Sequence, residues 1–308
     1  VASRFLLHPN ADGKIYFQNF RGEVFVVGGT ENMSQIPYLL DGARWGYRLG
    51  DGVLVDAMYR DGLFCPLGEM IMGETVDLLA ENLNISRREQ DEYALESQMK
   101  AKRAAGQGEF KDEIVPVAVR DKGGQESAIS DDEHPRPDTT LENLAKLPPV
   151  FRKEGSVTAG NSSGLTDGAA ALVLTTQSEA QRLGARPLAE VLAVTSAGVE
   201  PKEMGLGPVP ATRKILKALD LSLGDFDLIE INEAFAAQVL ACERELKWDP
   251  AKRNIKGGAI ALGHPIGCTG ARITVTLLHS LIQQDKELGL ATLCVSGGQG
   301  MSLVLKRL

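Results

Sequence analysis

The chain has 308 residues, with 33 Lys and Arg against 41 Asp and Glu and a formal net charge of -8. That length makes one large or two ordinary domains, and it buries enough surface to need neither disulfides nor a structural metal. The acidic balance argues against nucleic acid as a partner, because a phosphate backbone needs a basic face. With 43% hydrophobic and 24% charged residues, the composition is that of an ordinary soluble globular protein.

No apolar run reaches the ~18 residues that a membrane span requires. Residues 1–9 lack the basic-then-apolar plan of a secretory signal. The four cysteines, Cys65, Cys242, Cys268 and Cys294, have no CxxC spacing and no histidine pair nearby. The pattern predicts neither a zinc site nor a disulfide framework, and it suits a reducing compartment. The expected location is the cytoplasm, or an organelle matrix in a eukaryote. The 33 glycines beside 5% aromatics predict tight turns and close backbone packing rather than a stacking surface.

In chain order, residues 23–27 form a β-branched apolar run that ends in Gly28 and Gly29, which predicts a buried strand feeding a tight turn. A long polar stretch follows to about residue 154. Within it Ser86 and Glu89 form a capping box, and Tyr93, Leu95 and Met99 continue a helical pattern. Residues 114–119 read as an edge strand because Pro116 interrupts them, and residues 121–140 read as loop. So large an insertion is expected to supply binding surface rather than core. Beyond Gly155 the pattern predicts strands at 169–176, 188–197 and 226–231. Helices are predicted at 210–219, at 233–246 and at 271–284, the last with an apolar stripe of Ile273, Leu277, Leu278 and Leu281. Strands at 290–295 and 301–305 around a glycine-rich turn close the chain as a hairpin. Strands alternating with helices predict an α/β layered fold.

Three clusters in the second half could carry chemistry. The first is Asn232-Glu233-Ala234-Phe235-Ala236, a polar pair at the carboxyl end of a buried strand, where open α/β sheets place their sites. Asn232 could equally cap the helix predicted from Glu233. The second runs from Gly257 to Gly267 and holds His264 between Gly263 and Pro265, so that the imidazole points in one fixed direction. In the third, Cys294 ends a strand, and Ser296, Gly297 and Gly298 form a turn free to aim backbone N–H groups at an oxyanion. Read alone, Cys294 is also a small buried apolar residue. Together a histidine, a thiol, an amide and an N–H-rich turn are what acyl chemistry requires.

The order NEAFA, then GGAIALGHPIGCTGAR, then CxxGGQG resembles the C-terminal half of the thiolases. The resemblance extends upstream through GSVTAGNSSGLTDGAAA at 155–171, through 136–151, through Met72-Gly73-Glu74-Thr75 and through 28–34, so it covers about residues 22–308. It implies a thiolase-like layered fold, with a partial N-terminal half at 1–177 that includes a loop domain at about 35–155, and a complete C-terminal half at 178–308. The implied activity is acetyl-CoA C-acyltransferase, in fatty-acid β-oxidation or acetoacetyl-CoA metabolism. Coenzyme A and acyl-CoA are the implied substrates, with no tightly bound cofactor, no metal and a homodimer or tetramer. By the resemblance His264 activates a nucleophile and lines an oxyanion hole, Asn232 holds a water in that hole, and Cys294 moves a proton at the α-carbon of acetyl-CoA. Ser296 supplies a backbone N–H to a second oxyanion hole. Ser163 and Arg136 match positions that contact the pantetheine and the nucleotide of coenzyme A. Met72 matches a substrate-loop motif in which Ile71 replaces the usual His.

The start departs from the family pattern. Thiolases carry their nucleophilic Cys in a V-N-R-x-C-x-S-G stretch, whereas residues 1–9 here contain no Cys and no S-G pair, and residues 10–13 read as a turn. Counting back from the glycine pair puts Ser3 near the nucleophile position, with Cys65 as a substitute thiol. The expectation is therefore an incomplete N-terminal half. The alternative function is a catalytically impaired, thiolase-like protein that binds coenzyme A or serves as a scaffold.

Overall fold

A computed structural model of the chain describes residues 24–120 and 123–308. Ser3, the turn expected at residues 10–13 and Glu23 lie outside the described residues. Strand β1 (Phe25–Glu31) does not stop at the glycine pair but runs through it. It is also not fully buried: its residues alternate between half-buried and exposed, and Val26 is exposed. The glycines serve packing rather than a turn. A Cβ on Gly29 would collide with the Gly267 carbonyl, so its absence lets the loop before the last helix approach the strand.

Two short hairpins follow: β2 (Tyr38–Leu40) with β3 (Leu54–Asp56), and β4 (Phe64–Cys65) with β5 (Met70–Ile71). Helices α1 (Met72–Asn82) and α2 (Arg87–Gly106) come next, and the Ser86–Glu89 capping box starts α2 as the sequence predicts. Both helices carry core. Val76, Leu79 and Ala80 of α1 and Tyr93, Ala94, Ala101 and Ala104 of α2 are buried, which corrects the expectation that this insertion supplies only binding surface. The edge strand expected at 114–119 is β6 (Val117–Arg120), which begins after Pro116 because proline has no N–H to pair. The stretch expected as loop contains β7 (Glu126–Ile129), paired with β6. Every residue of β7 is exposed, so it shows no apolar alternation to read. Helix α3 (Leu141–Ala145) ends this region.

Strand β8 (Gly168–Leu174) pairs antiparallel with β1. After α4 (Gln177–Arg182) come β9 (Ala189–Gly198) and α5 (Pro208–Leu219), the latter with proline in its first turn. Then follow β10 (Leu228–Ile231), α6 (Ala236–Leu246), α7 (Ala259–Leu262), α8 (Thr269–Gln283), β11 (Leu288–Val295) and β12 (Gln299–Arg307). One sheet has the order β10-β11-β12-β9, with β10 and β11 parallel and the other pairs antiparallel. Helix α8 contacts β1 and β8 on one side and β10, β11 and β12 on the other. Its stripe of Ile273, Leu277 and Leu281 is fully buried against Leu228, Ala291 and Leu305. Each such side chain contributes roughly 1.5–3 kcal/mol. The fold is the expected α/β layered arrangement.

Candidate active site

The parallel strands β10 and β11 end side by side, with Ile231 opposite Thr292 and the Asn232 N–H donating to the Thr292 carbonyl at 2.9 Å. Asn232 and Cys294 therefore leave neighbouring strands at the same end of the sheet, the usual place for a site in this architecture. The helix expected from Glu233 begins only at Ala236, with Phe235 at its N-cap. This overturns the reading of Asn232 as a helix cap. Its fully buried side chain instead donates from Nδ2 to His264 Nε2 at 3.3 Å, and Asn232 Oδ1 meets no donor among the described residues.

His264 follows Gly263, whose φ of +94° is one that side chains rarely adopt and whose missing Cβ leaves room for Thr166. The proton on the imidazole is assigned by its partners. Thr269 Oγ1 donates to the Pro265 carbonyl at 3.0 Å, so it accepts from His264 Nδ1–H at 2.6 Å. Nε2 is left with its lone pair, facing Asn232. Burial first, and then the nearby Arg272 guanidinium, push the His264 pKa down to about 4. The ring is neutral at pH 7 and can accept a proton at Nε2. Sequence reading missed Thr269. The available signal was a hydroxyl five residues after a histidine at the start of a helix.

Cys294, the penultimate residue of β11, is 9% exposed, and burial pushes its thiol up to about 12. It rests as a protonated thiol. It belongs to one buried cluster with Met72, Ala234 and Phe235, so the Met72 segment and the NEAFA turn close around it. The turn after Cys294 contains the exposed Ser296, and Gly297 and Gly298 have φ of +83° and +84°. Ser163 is tied to the same place, since its N–H donates to the Ala234 carbonyl at 3.0 Å while Ser162 bridges Phe235. Phe151 meets the Phe235 ring edge-on, with centroids 6.0 Å apart. Arg136 stands further out and exposed, its backbone N–H donating to Gln98 Oε1 at 2.8 Å. Cys65 is fully buried within the β4–β5 hairpin, where its sulfur accepts from the Gly68 N–H at 3.3 Å. Cys242 and Cys268 are buried as well.

Among the described residues no group of three or more His, Cys, Asp and Glu is placed to hold a metal, and no helix is long and apolar enough to cross a membrane. A neutral imidazole, a protonated thiol and an amide at one sheet end form an acid/base centre rather than a redox or metal centre by the chemistry of these groups.

Family models agree with that description. A model of the thiolase N-terminal domain matches residues 10–178, and one of the thiolase C-terminal domain matches residues 185–307. The acetyl-CoA acetyltransferase of Pseudomonas aeruginosa is 53% identical over 285 residues, which is 92% of this chain and 72% of that protein. The crystal structure of the Bacillus anthracis acetyl-CoA acetyltransferase superposes with a TM-score of 0.90 at 51% identity, covering 93% of this chain and 72% of that one. Human mitochondrial 3-ketoacyl-CoA thiolase in complex with CoA superposes with a TM-score of 0.88 at 44% identity, covering 93% and 71%. The chain belongs to the thiolase family. It is an enzyme by that membership, of a family in which coenzyme A is a substrate and no cofactor is tightly held.

Proposed function

We propose that the chain catalyses reversible Claisen exchange between a 3-oxoacyl-CoA plus CoA and a shortened acyl-CoA plus acetyl-CoA. The observation that carries this reading is the convergence of His264 Nε2, Asn232 Nδ2 at 3.3 Å and Cys294 at the ends of two adjacent parallel strands. In the cleavage direction a nucleophile, either the CoA thiol itself or a group that then hands the acyl chain to CoA, attacks the 3-carbonyl, and neutral His264 takes its proton at Nε2. The C2–C3 bond then breaks, leaving its electron pair on C2 as the enolate of acetyl-CoA. His264 and a water held by Asn232 form one oxyanion hole for the charge that develops, and the backbone N–H at Ser296 serves a second. Cys294, protonated at rest, gives its proton to C2. In the condensation direction the same thiolate removes that proton. Met72 and Ser163 line the approach of the pantetheine arm, and Arg136, exposed further out, meets the nucleotide. We also propose a homodimer or tetramer working in the cytoplasm or an organelle matrix.

A specific observation favours a second reading. All four cysteines of the chain are described and buried; Cys294 is taken for the proton step, and Cys65, Cys242 and Cys268 are packed as buried thiols rather than offered as an acyl carrier. On that reading the protein binds coenzyme A with little turnover. Two assays on the purified chain decide between them. Acetyl-CoA incubated in D2O reports the Cys294 proton step, in which the thiol first gives its proton to a base, neutral His264 being the one this site offers, and the thiolate then takes a methyl proton. Deuterium is expected at the methyl carbon, and Cys294→Ala is expected to stop the exchange. Absence of exchange with the unaltered chain would sink the proposed function. Thiolysis of acetoacetyl-CoA reports the full cycle, and on the second reading it is expected at least ~10³-fold below a typical thiolase, the scale of losing a covalent nucleophile. Turnover at ordinary thiolase rates would remove the second reading.

A further inference from the structure

Glu233, the neighbour of Asn232, points away from the site into the core and is 1% exposed. A buried carboxylate is costly unless its lone pairs are filled, and here four donors fill them. Oε1 accepts from Tyr93 OH at 2.9 Å and from Asn254 Nδ2 at 2.8 Å. Oε2 accepts from Ser97 Oγ at 2.7 Å and from the Ile260 backbone N–H at 3.1 Å. The donors come from α2, from the segment after α6 and from the first turn of α7. Gly258 completes the fit, because a Cβ there would overlap the Glu233 carboxyl carbon, and its N–H donates to Ser97 Oγ at 3.1 Å.

Helix α7 has four residues, too few to hold itself as a helix. Its leading N–H is fixed by Glu233, and its Ile260 carbonyl accepts from Gln98 Nε2 at 3.3 Å. The turn ends at Gly263, and His264 is next. Glu233 is thus joined through its backbone to Asn232 and through its carboxylate, by a hydrogen bond, to the turn that delivers His264. We propose that Glu233 is a positioning residue that sets the 3.3 Å meeting of Asn232 Nδ2 with His264 Nε2. The inference rests on the proposed function only in taking His264 as the reacting base.

The chemistry requires a carboxylate rather than an amide. Each oxygen faces one group that can only donate. On Oε2 this is the Ile260 N–H, and on Oε1 it is Asn254 Nδ2, because Asn254 Oδ1 is committed to the Ile231 N–H at 2.9 Å. Whichever way a glutamine at 233 is turned, its NH2 opposes one of these donors, and that donor must leave.

The test is nitrogen NMR of the full chain labelled with 15N-histidine, with His264 assigned by its disappearance in His264→Gln. The unaltered protein is expected to show one ring form, protonated at Nδ1 and bare at Nε2. Glu233→Gln is expected to give averaged ring nitrogens, because the imidazole is released from Thr269 and Asn232. A lower melting temperature with the ring pattern unchanged would show a merely structural role and overturn the proposal. If Glu233→Gln does not fold, Ser97→Ala decides: an altered His264 pattern supports the proposal and an unaltered one overturns it. The readout is taken on the resting protein. Failure of acetyl-CoA exchange would therefore count against the proposed function without touching this result.

Discussion

The orientation of His264 depends on a hydroxyl that itself does no chemistry. Thr269 accepts from Nδ1–H at 2.6 Å and passes its own proton to the Pro265 carbonyl, which leaves Nε2 bare and aimed at Asn232. Thr269→Val keeps the volume but removes both bonds. The buried Nδ1–H then lacks a partner, and the ring gains either a new tautomer or a new direction. On the proposed mechanism deuterium exchange into acetyl-CoA should suffer less than thiolysis, because there Cys294 acts at the carbon. Thiolysis of acetoacetyl-CoA is expected to fall on the order of 10²-fold, the scale for displacing a reacting group by about 1 Å. Thr269→Ser should restore most of the rate. Equal rates for Thr269→Val and the unaltered chain would remove Thr269 from the account.

At the scale of elements, β10 and α8 bring a carboxyl and a guanidinium near each other in a place that accommodates neither well. Glu230 on β10 is 2% exposed, and its Oε2 lies 4.0 Å from Arg272 Nη1 on α8, beyond a good hydrogen bond. Burial pushes the Glu230 pKa up to about 8, and the pull of Arg272 offsets this only in part. The folded protein then holds a proton that the unfolded chain gives up near 4.5, so the Glu230 contribution to stability falls as pH rises from about 4.5 to about 8. Glu230→Gln is insensitive to this change. Thermal melts should show the variant gaining on the unaltered chain between those pH values and holding a constant difference above them. Parallel curves throughout would mean that Glu230 is ionised in the fold.

At the scale of the whole molecule, α8 contacts both the β1–β8 pair and the four-stranded sheet, and the segments at Met72, Ser163 and the NEAFA turn, proposed above to meet coenzyme A, close on the end of the larger sheet. A ligand that bridges them binds only the folded state, so coenzyme A is expected to raise the melting temperature, by about 2.7 kcal/mol of stability at a hundredfold excess over Kd. Ser163→Tyr, which fills the space beside the Ala234 carbonyl, should abolish the shift. A flat response to saturating coenzyme A in the unaltered chain would contradict the binding site.

The sequence by itself determined the layered class, the order of the strands and of the three longer helices beyond Gly155, and the three clusters at Asn232, His264 and Cys294, but not the short helices α4 and α7. These are local matters: β-branched runs, an apolar stripe at helical spacing, and glycines beside polar residues are visible within a few positions. Only the tertiary structure decided that β1 continues through Gly28 and Gly29, because pairing with β8 and the close approach of Gly267 settle it. It also decided that α1 and α2 are core and that α6 starts at Ala236. The NEAFA turn stays extended because Ser163 N–H and the Asn161 carbonyl bond to it from a segment about seventy residues earlier. Glu233, Tyr93 and Asn254 meet their partners across the chain, and contacts of that range leave no period in the sequence. Side-chain periodicity reports which face is buried. Which donor meets which acceptor is fixed only when the elements pack.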